Sequence, residues 1–138
     1  MIILDTNVLS ALMRDTPDAA VVDWLDNQPT ASIWTTSVTV FEIRTGIDLL
    51  TPSRRRKRLD ETFSQLLDED LEGRVQSFDL TAAMAAGTIA AAQQRVGRAV
   101  EIRDVQIAGI AASRHATVAT RNTRHFERTG VNLVNPWD

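Results

Sequence analysis

Residues 1–13, MIILDTNVLSALM, place a short apolar run directly before a carboxylate, Asp5, and a helical pattern directly after it. A short apolar run with a polar boundary is typical of a buried strand, and the spacing that follows is typical of an amphipathic helix. Two interpretations of Asp5 are open. It is either the N-cap of that helix, since aspartate is a preferred cap, or a charged group that the strand carries into a site.

The composition is that of an ordinary globular domain. Of 138 residues, 43% are hydrophobic and 24% charged, and the net charge of −3 gives no overall attraction to nucleic acid. We therefore expect a single domain over residues 1–138. The chain has no cysteine, which excludes disulfides, thiolate nucleophiles and cysteine-bound zinc. Because it shows no signal-like segment and no run of roughly 18 apolar residues, we expect a cytoplasmic protein that does not enter a membrane.

Short β-rich runs alternate with longer helical runs along the chain. Strands are predicted over residues 2–5, 32–39, 75–78, 117–120 and 131–134. Helices are predicted over residues 7–13, 18–28, 39–50, 53–71, 80–96, 102–115 and 123–128. This alternation predicts an α/β fold with a mainly parallel central sheet that helices cover on both faces. Ligands of such sheets bind at the carboxyl ends of the strands.

Polar residues lie close to the ends of three predicted strands. Asp5 follows the first strand, Glu42 follows the second after a short interval, and Asn122 follows the TVAT strand. A further acid, Asp104, lies near the start of a later helix and faces the same edge if that helix begins at about residue 102. The sequence thus predicts that these four side chains gather at one edge of the sheet.

Each of these residues also has an explanation that involves no ligand. Thr39 and Glu42 have the spacing of a capping box, Asn122 is suited to cap the next helix, and Asp104 suits the positive end of a helix dipole. Carboxylates that share one sheet edge nevertheless repel one another, and a cation relieves that repulsion. Oxygen ligands without cysteine favour Mg²⁺ or Mn²⁺ over zinc.

Four segments carry a family resemblance. They are LDTNVLSALM (4–13), TVFEIRTGI (39–47), RDVQIAGIAA (103–112) and VATRNTRHF (118–126). In order and separation they resemble the motifs of PIN-domain proteins, and in particular the VapC/FitB-like ribonuclease toxins of bacterial type II toxin–antitoxin pairs. The resemblance extends over essentially the whole chain.

The resemblance implies a three-layer α/β/α sandwich and a Mg²⁺- or Mn²⁺-dependent endoribonuclease that leaves 5′-phosphate and 3′-hydroxyl ends. The metal-binding acids of the family match Asp5, Glu42 and Asp104, and Glu42 is also a candidate general base. The fourth catalytic position of the family, usually aspartate, is Asn122 here. An amide oxygen can coordinate a metal or orient a water molecule but brings no charge, so we expect one firmly held metal ion.

Several neighbouring residues are candidates for supporting roles. Thr6, Asn7 and Thr120 either orient the carboxylates or simply shape turns. Arg121, Arg124 and Arg128 are candidate contacts to the RNA backbone. The basic run 54–58 either contacts RNA or is a solvated helix face, and the small-residue stretch 82–92 suits either the core or a dimer interface. We interpret His125 as a polar residue of a short helix.

The resemblance also implies partners. It implies a toxin that acts on RNA, is held inactive by a small antitoxin, forms a homodimer, and assembles with the antitoxin into a heterotetramer or a larger complex. Two alternative functions are compatible with the sequence. The chain is a catalytically weak RNA- or protein-binding module, an interpretation that Asn122 keeps open, or it is a related carboxylate–metal phosphodiesterase that acts on DNA.

Overall fold

Five short strands alternate with seven helices in the computed structural model, which describes residues 1–138. The strands are β1 (Ile2–Leu4), β2 (Ile33–Thr36), β3 (Val75–Gln76), β4 (Thr117–Ala119) and β5 (Asn132–Val134). The helices are α1 (Thr6–Leu12), α2 (Ala19–Asp26), α3 (Ser37–Asp48), α4 (Arg54–Gln65), α5 (Leu80–Arg95), α6 (Ile102–Ser113) and α7 (Thr123–Phe126). A 3₁₀ turn at Thr30–Ser32 precedes β2, and a π-helical turn at Leu66–Asp70 continues α4.

The strands form one parallel sheet in the order β3-β2-β1-β4-β5. The strand β1 is central, and the chain connects outward from it in both directions. Such a reversal opens a crevice at the carboxyl end of the central strand, which is where ligands of parallel sheets bind. Asp5 is the residue that follows β1.

Helices cover both faces of the sheet. Ile3 belongs to one buried cluster and Leu4 to the other, because successive side chains of a strand point to opposite faces. Residues of α5 and α6 dominate the first cluster, and residues of α1, α2, α3 and α4 build most of the second. The expected α/β/α sandwich with a parallel sheet is confirmed.

The second strand is shorter than predicted, and the predicted capping box is wrong. The strand β2 ends at Thr36, and α3 begins at Ser37. The Thr36 hydroxyl accepts a hydrogen bond from the Thr39 backbone N–H at 3.1 Å, so Thr36 is the N-cap and Thr39 lies inside the helix. Because α3 begins at Ser37, Glu42 lies in its second turn and not at the third position of a capping box. Its carboxylate instead contacts Thr6 and Arg103.

Two further boundaries differ from the predictions. The strand β3 covers only two residues because the Phe78 N–H leaves the sheet and donates to the Ser37 hydroxyl at 3.0 Å. The long helix predicted over 53–71 divides at Gln65, where the backbone widens into the π-helical turn.

None of the helices combines the length and apolar character that a membrane crossing requires.

Candidate active site

Asp5 is buried at the carboxyl end of β1, with 4% of its surface exposed. Its Oδ1 accepts the Thr6 backbone N–H at 2.8 Å, so Asp5 caps α1. Its Oδ2 accepts the Thr120 hydroxyl at 2.8 Å and the Asn7 amide at 3.1 Å. Burial raises the pKa of the Asp5 carboxyl, and these hydrogen bonds oppose that rise. The N-cap interpretation of Asp5 is therefore confirmed, and the second carboxylate oxygen lies in a polar network with Thr120 and Asn7.

Asp104 is an acid whose pKa the charge of Asp5 affects. It lies in the first turn of α6, and 17% of its side chain is exposed. Burial first, and the negative charge of Asp5 second, raise the pKa of Asp104 to about 6. The His125 Nδ1 lies 2.9 Å from Asp104 Oδ2 and opposes this shift. The negative charge of Asp5 therefore disfavours the ionised form of Asp104.

Glu42 lies on α3 at the side of this pair. Its Oε1 accepts the Thr6 hydroxyl at 2.9 Å, and its Oε2 lies 3.6 Å from Arg103 Nη1. Since Thr6 follows Asp5 directly, one residue of α1 joins Glu42 to the buried acid. The exposed fraction of the Glu42 side chain is 21%, so a ligand in the crevice can reach it.

Two of the three predicted metal ligands, Asp5 and Asp104, are placed in a way that suits a divalent cation. No three histidine, aspartate or glutamate side chains converge as one metal-binding group, because the Glu42 carboxylate is turned to Thr6 and Arg103. Asp5 is buried, Asp104 is half-buried, and the charge of Asp5 raises the pKa of Asp104. Neither carboxylate forms an ion pair with an arginine or lysine. A cation between them would remove that penalty. The pair Asp5 and Asp104 therefore fits a metal better than the predicted set of three.

Asn122 lies at the N-cap position of α7, but its side chain makes no capping hydrogen bond. The prediction that its side chain caps this helix is therefore wrong. Its backbone N–H instead donates to the Thr120 hydroxyl at 3.0 Å. The exposed Asn122 amide is thus available to a ligand.

Three predicted supporting residues contact the candidate acids. Thr6 donates to Glu42, and both Asn7 and Thr120 donate to Asp5. The Asn7 amide also donates to the Thr120 hydroxyl at 3.2 Å. Because Thr120 lies on the loop after β4, this network ties the ends of β1 and β4 together.

Two residues near the acids had no predicted role there. His125 contacts Asp104 directly, and Arg103 is the cation nearest to Glu42. The position of His125, three residues after Asn122 and about one helical turn further along α7, was the signal that it could face the same site. No local pattern indicated Arg103, because its contact with Glu42 depends on how α6 packs beside α3.

The basic run 54–58 does not act as one surface. Arg55 and Arg58 line a cavity of about 510 Å³ that Thr6 and Glu42 also line. Within the run, however, Arg58 pairs with Asp15 at 3.0 Å and Arg56 lies 3.6 Å from Asp48. Arg55 is therefore the residue of this run that faces the candidate site without a carboxylate partner. Arg56 and Arg58 have carboxylate partners.

Asp104→Asn is expected to stabilise the metal-free protein at neutral pH. Between pH 3.8 and about 6 the native carboxyl keeps a proton that the unfolded chain releases, so stability declines as pH rises through this window. The full shift corresponds to about 3 kcal/mol. Solvent access reduces the gain to roughly 1–2 kcal/mol at pH 7.5. Urea unfolding in EDTA measures it.

The pH dependence identifies the cause of this stabilisation. At pH 3.5 the difference in free energy of unfolding between the two proteins should be small, since the carboxyl is protonated in the native state and mostly protonated in the unfolded chain. Asp23→Asn, at an exposed position of α2, makes the same chemical change away from the pair and should have little effect at either pH. An equal gain for Asp104→Asn at both pH values would contradict a charge origin.

Comparison with known proteins identifies the family of this chain. Residues 2–132 match the PIN domain family. The plasmid stability protein StbB of Pseudomonas syringae pv. tomato is 41% identical over 100% of this chain and 99% of its own length. The VapC ribonuclease Y4jK of Sinorhizobium fredii is 35% identical over the same shares. The toxin FitB of Neisseria gonorrhoeae is 34% identical over 99% of each chain.

A solved structure has the same architecture. The crystal structure of FitAcB from Neisseria gonorrhoeae superimposes with a TM-score of 0.90 at 34% identity, covering 99% of each chain. The two chains therefore share their fold over their full length. The chain belongs to the PIN-domain family.

Proposed function

We propose that this protein is a metal-dependent endoribonuclease that acts as the toxin of a type II toxin–antitoxin pair. The observation that carries the proposal is the pair of Asp5 and Asp104 at the carboxyl edge of the sheet, whose pKa values are both raised and neither of which pairs with an arginine or a lysine. Relatives named VapC ribonuclease and toxin FitB support the activity and the role. A small antitoxin that covers this edge is the proposed partner.

In the proposed mechanism, Asp5 and Asp104 would hold Mg²⁺ or Mn²⁺. When bound there, the ion would supply Lewis-acid stabilisation of the attacked phosphate and make the attacking water more acidic. Thr120 and Asn7 keep the Asp5 carboxylate in place through their hydrogen bonds. Glu42, oriented by Thr6, is the carboxylate that accepts a proton from the attacking water. Asn122 offers an uncharged amide beside this set and helps to orient the substrate or a water molecule.

The arginines around this edge are the proposed contacts to RNA phosphates. Arg121, Arg124 and Arg128 lie on or after the loop that follows β4, are exposed and form no ion pair. Arg55 faces the cavity beside Glu42. Charges placed in this way compensate locally for the net negative charge of the whole chain.

The protein purified without its partner is expected to cleave single-stranded RNA in Mg²⁺ or Mn²⁺, because a divalent cation held by the two acids would stabilise the attacked phosphate and activate the water. EDTA should abolish cleavage, and added Mn²⁺ should restore it. The measurement is the rate of product formation from an end-labelled RNA, with single-stranded DNA of the same sequence in parallel.

The controls separate the alternatives. A preparation of Asp5→Asn purified identically reveals any contaminating ribonuclease, since it should not cleave. Cleavage of the DNA alone would favour a DNA phosphodiesterase. Absence of cleavage of every RNA, in either metal, would contradict the proposal and favour a binding module.

A further inference from the structure

The C-terminal tryptophan is held in a defined orientation beside the candidate site. The Trp137 indole N–H donates to Asp18 Oδ2 at 2.9 Å, and its backbone N–H donates to Asn135 Oδ1 at 3.0 Å. The other carboxylate oxygen of Asp18 accepts the Ala20 N–H at 3.1 Å and caps α2. The indole hydrogen bond is the main reason that the pKa of Asp18 is lowered. The ring therefore has a fixed support at the start of α2.

Arg121 lies over the face of this ring. The guanidinium carbon of Arg121 lies 4.8 Å from the centroid of the Trp137 ring. The backbone of the same residue is also held, because its N–H donates to Asn7 Oδ1 at 3.1 Å, and the amide of Asn7 donates to Asp5. Arg121 is thus fixed at its backbone to the hydrogen-bond network of the acids and at its guanidinium to an aromatic surface.

The charge of Arg121 remains available to a ligand. It pairs with no carboxylate, and its guanidinium donates no hydrogen bond within the chain. Stacking on an indole uses the face of a guanidinium and leaves its N–H groups free around the edge. Those N–H groups match the geometry of two phosphate oxygens. Arg56 and Arg58, by contrast, already have carboxylate partners.

We propose that Arg121, stacked on Trp137, forms a binding site for a phosphodiester of the RNA strand next to the cleaved bond, and that Trp137 is its positioning residue. The inference rests on the proposed function, since it identifies a subsite for the same substrate. Trp137 limits the conformations of the long arginine side chain, so less freedom is lost when the phosphate binds. Asp18 contributes indirectly, because its carboxylate accepts the indole N–H and holds the Trp137 ring in place.

The test measures RNA affinity separately from cleavage. Fluorescence anisotropy with a labelled single-stranded RNA in EDTA gives the Kd, and initial rates in Mn²⁺ give KM and kcat. Arg121→Gln is expected to raise Kd and KM about fivefold, while kcat stays within about twofold of the value for the unmodified protein. It should also reduce the slope of log affinity against log salt concentration by about 0.7, which is the value for one phosphate contact on a single strand. Arg98→Gln, in the loop between α5 and α6, is the control for net charge and should change neither quantity.

Two variants of the tryptophan test the positioning role. Trp137→Leu is expected to raise Kd about threefold and lower the salt slope in the same direction as Arg121→Gln. Trp137→Phe keeps an aromatic face and should restore both. Since Trp137 also packs against the core, thermal melting of both variants accompanies the measurement. A lower melting temperature with unchanged Kd and salt slope would assign Trp137 a purely structural role and overturn its positioning role.

The outcomes distinguish this inference from the proposed function. Unchanged Kd and salt slope in Arg121→Gln, with cleavage by the unmodified protein intact, would overturn the phosphate site alone. A fall in kcat at unchanged Kd would also overturn it, since Arg121 would then act on the reaction and not on the strand. If the unmodified protein binds RNA through Arg121 but cleaves none, the site stands and the nuclease proposal fails. If it neither binds nor cleaves RNA, both fail.

Discussion

Asp5→Asn is expected to reduce RNA cleavage by about 1,000-fold. Loss of a residue that only orients a metal ligand costs 10–100-fold, so loss of a buried ligand at the end of the central strand should cost more. The variant should also fail to arrest growth when expressed without an antitoxin, whereas the unmodified chain should arrest it. The measurements are single-turnover cleavage of a labelled RNA and colony formation after induction.

The fold is expected to survive this change. Asparagine has the same shape, and its carbonyl oxygen can still accept the Thr6 N–H that caps α1. Removal of a buried charge whose pKa is already raised offsets the weakened hydrogen bonds from Asn7 and Thr120, so the free energy of unfolding should stay within about 1 kcal/mol. Asp23→Asn is the matched control at an exposed site. Undiminished cleavage by a folded Asp5→Asn protein would remove Asp5 from the mechanism.

Gly109→Ala is expected to destabilise the protein by about 2 kcal/mol. A methyl group at Gly109 would lie 2.6 Å from the Ala82 carbonyl oxygen, 2.6 Å from the Ala86 Cβ and 2.7 Å from the Ala86 backbone nitrogen. These are backbone and β-carbon atoms, so α5 and α6 must separate for the methyl group to fit. Overpacking costs about 1–3 kcal/mol or more, and it outweighs the gain of roughly 1 kcal/mol in helix propensity.

Thermal and urea unfolding measure this loss, and Gly87→Ala is the matched control. Gly87 lies on α5 with nothing within 4 Å of the position of a Cβ, so its replacement should stabilise the helix by up to about 1 kcal/mol. Opposite signs for the two variants would show that the distance between α5 and α6 decides the outcome. A neutral or stabilising Gly109→Ala would contradict the close packing of these helices.

The same contact assigns two residues of the small-residue stretch 82–92 to the core. Ala82 and Ala86 are buried against α6 within one chain. Close packing of α5 on α6 therefore explains why these two side chains are small. Other side chains of α5 are exposed, among them Leu80 at 79% and Met84 at 70%.

Much of the fold and part of the candidate site could be predicted from the sequence. Alternation of β-rich runs with helical runs determines a parallel sheet between helical layers, because parallel strands need helical crossovers. The position of Asp5 after β1 and that of Asp104 near the start of α6 also follow from local patterns. The element boundaries were less predictable. Thr36 and Thr39 are both chemically suited to cap α3, and the hydrogen bond from the Thr39 N–H to Thr36 decides between them.

Only the tertiary structure decided which of these residues meet. The hydrogen bond from Thr120 to Asp5 joins residues 115 positions apart, and the bond from Thr6 to Glu42 joins residues 36 positions apart. Local periodicity carries no information on such distances, which depend on the strand order and on how the helices pack. The sequence by itself therefore determined that acids lie near strand ends, while packing turned Glu42 to Thr6, paired Asp104 with His125 and placed Arg121 on Trp137.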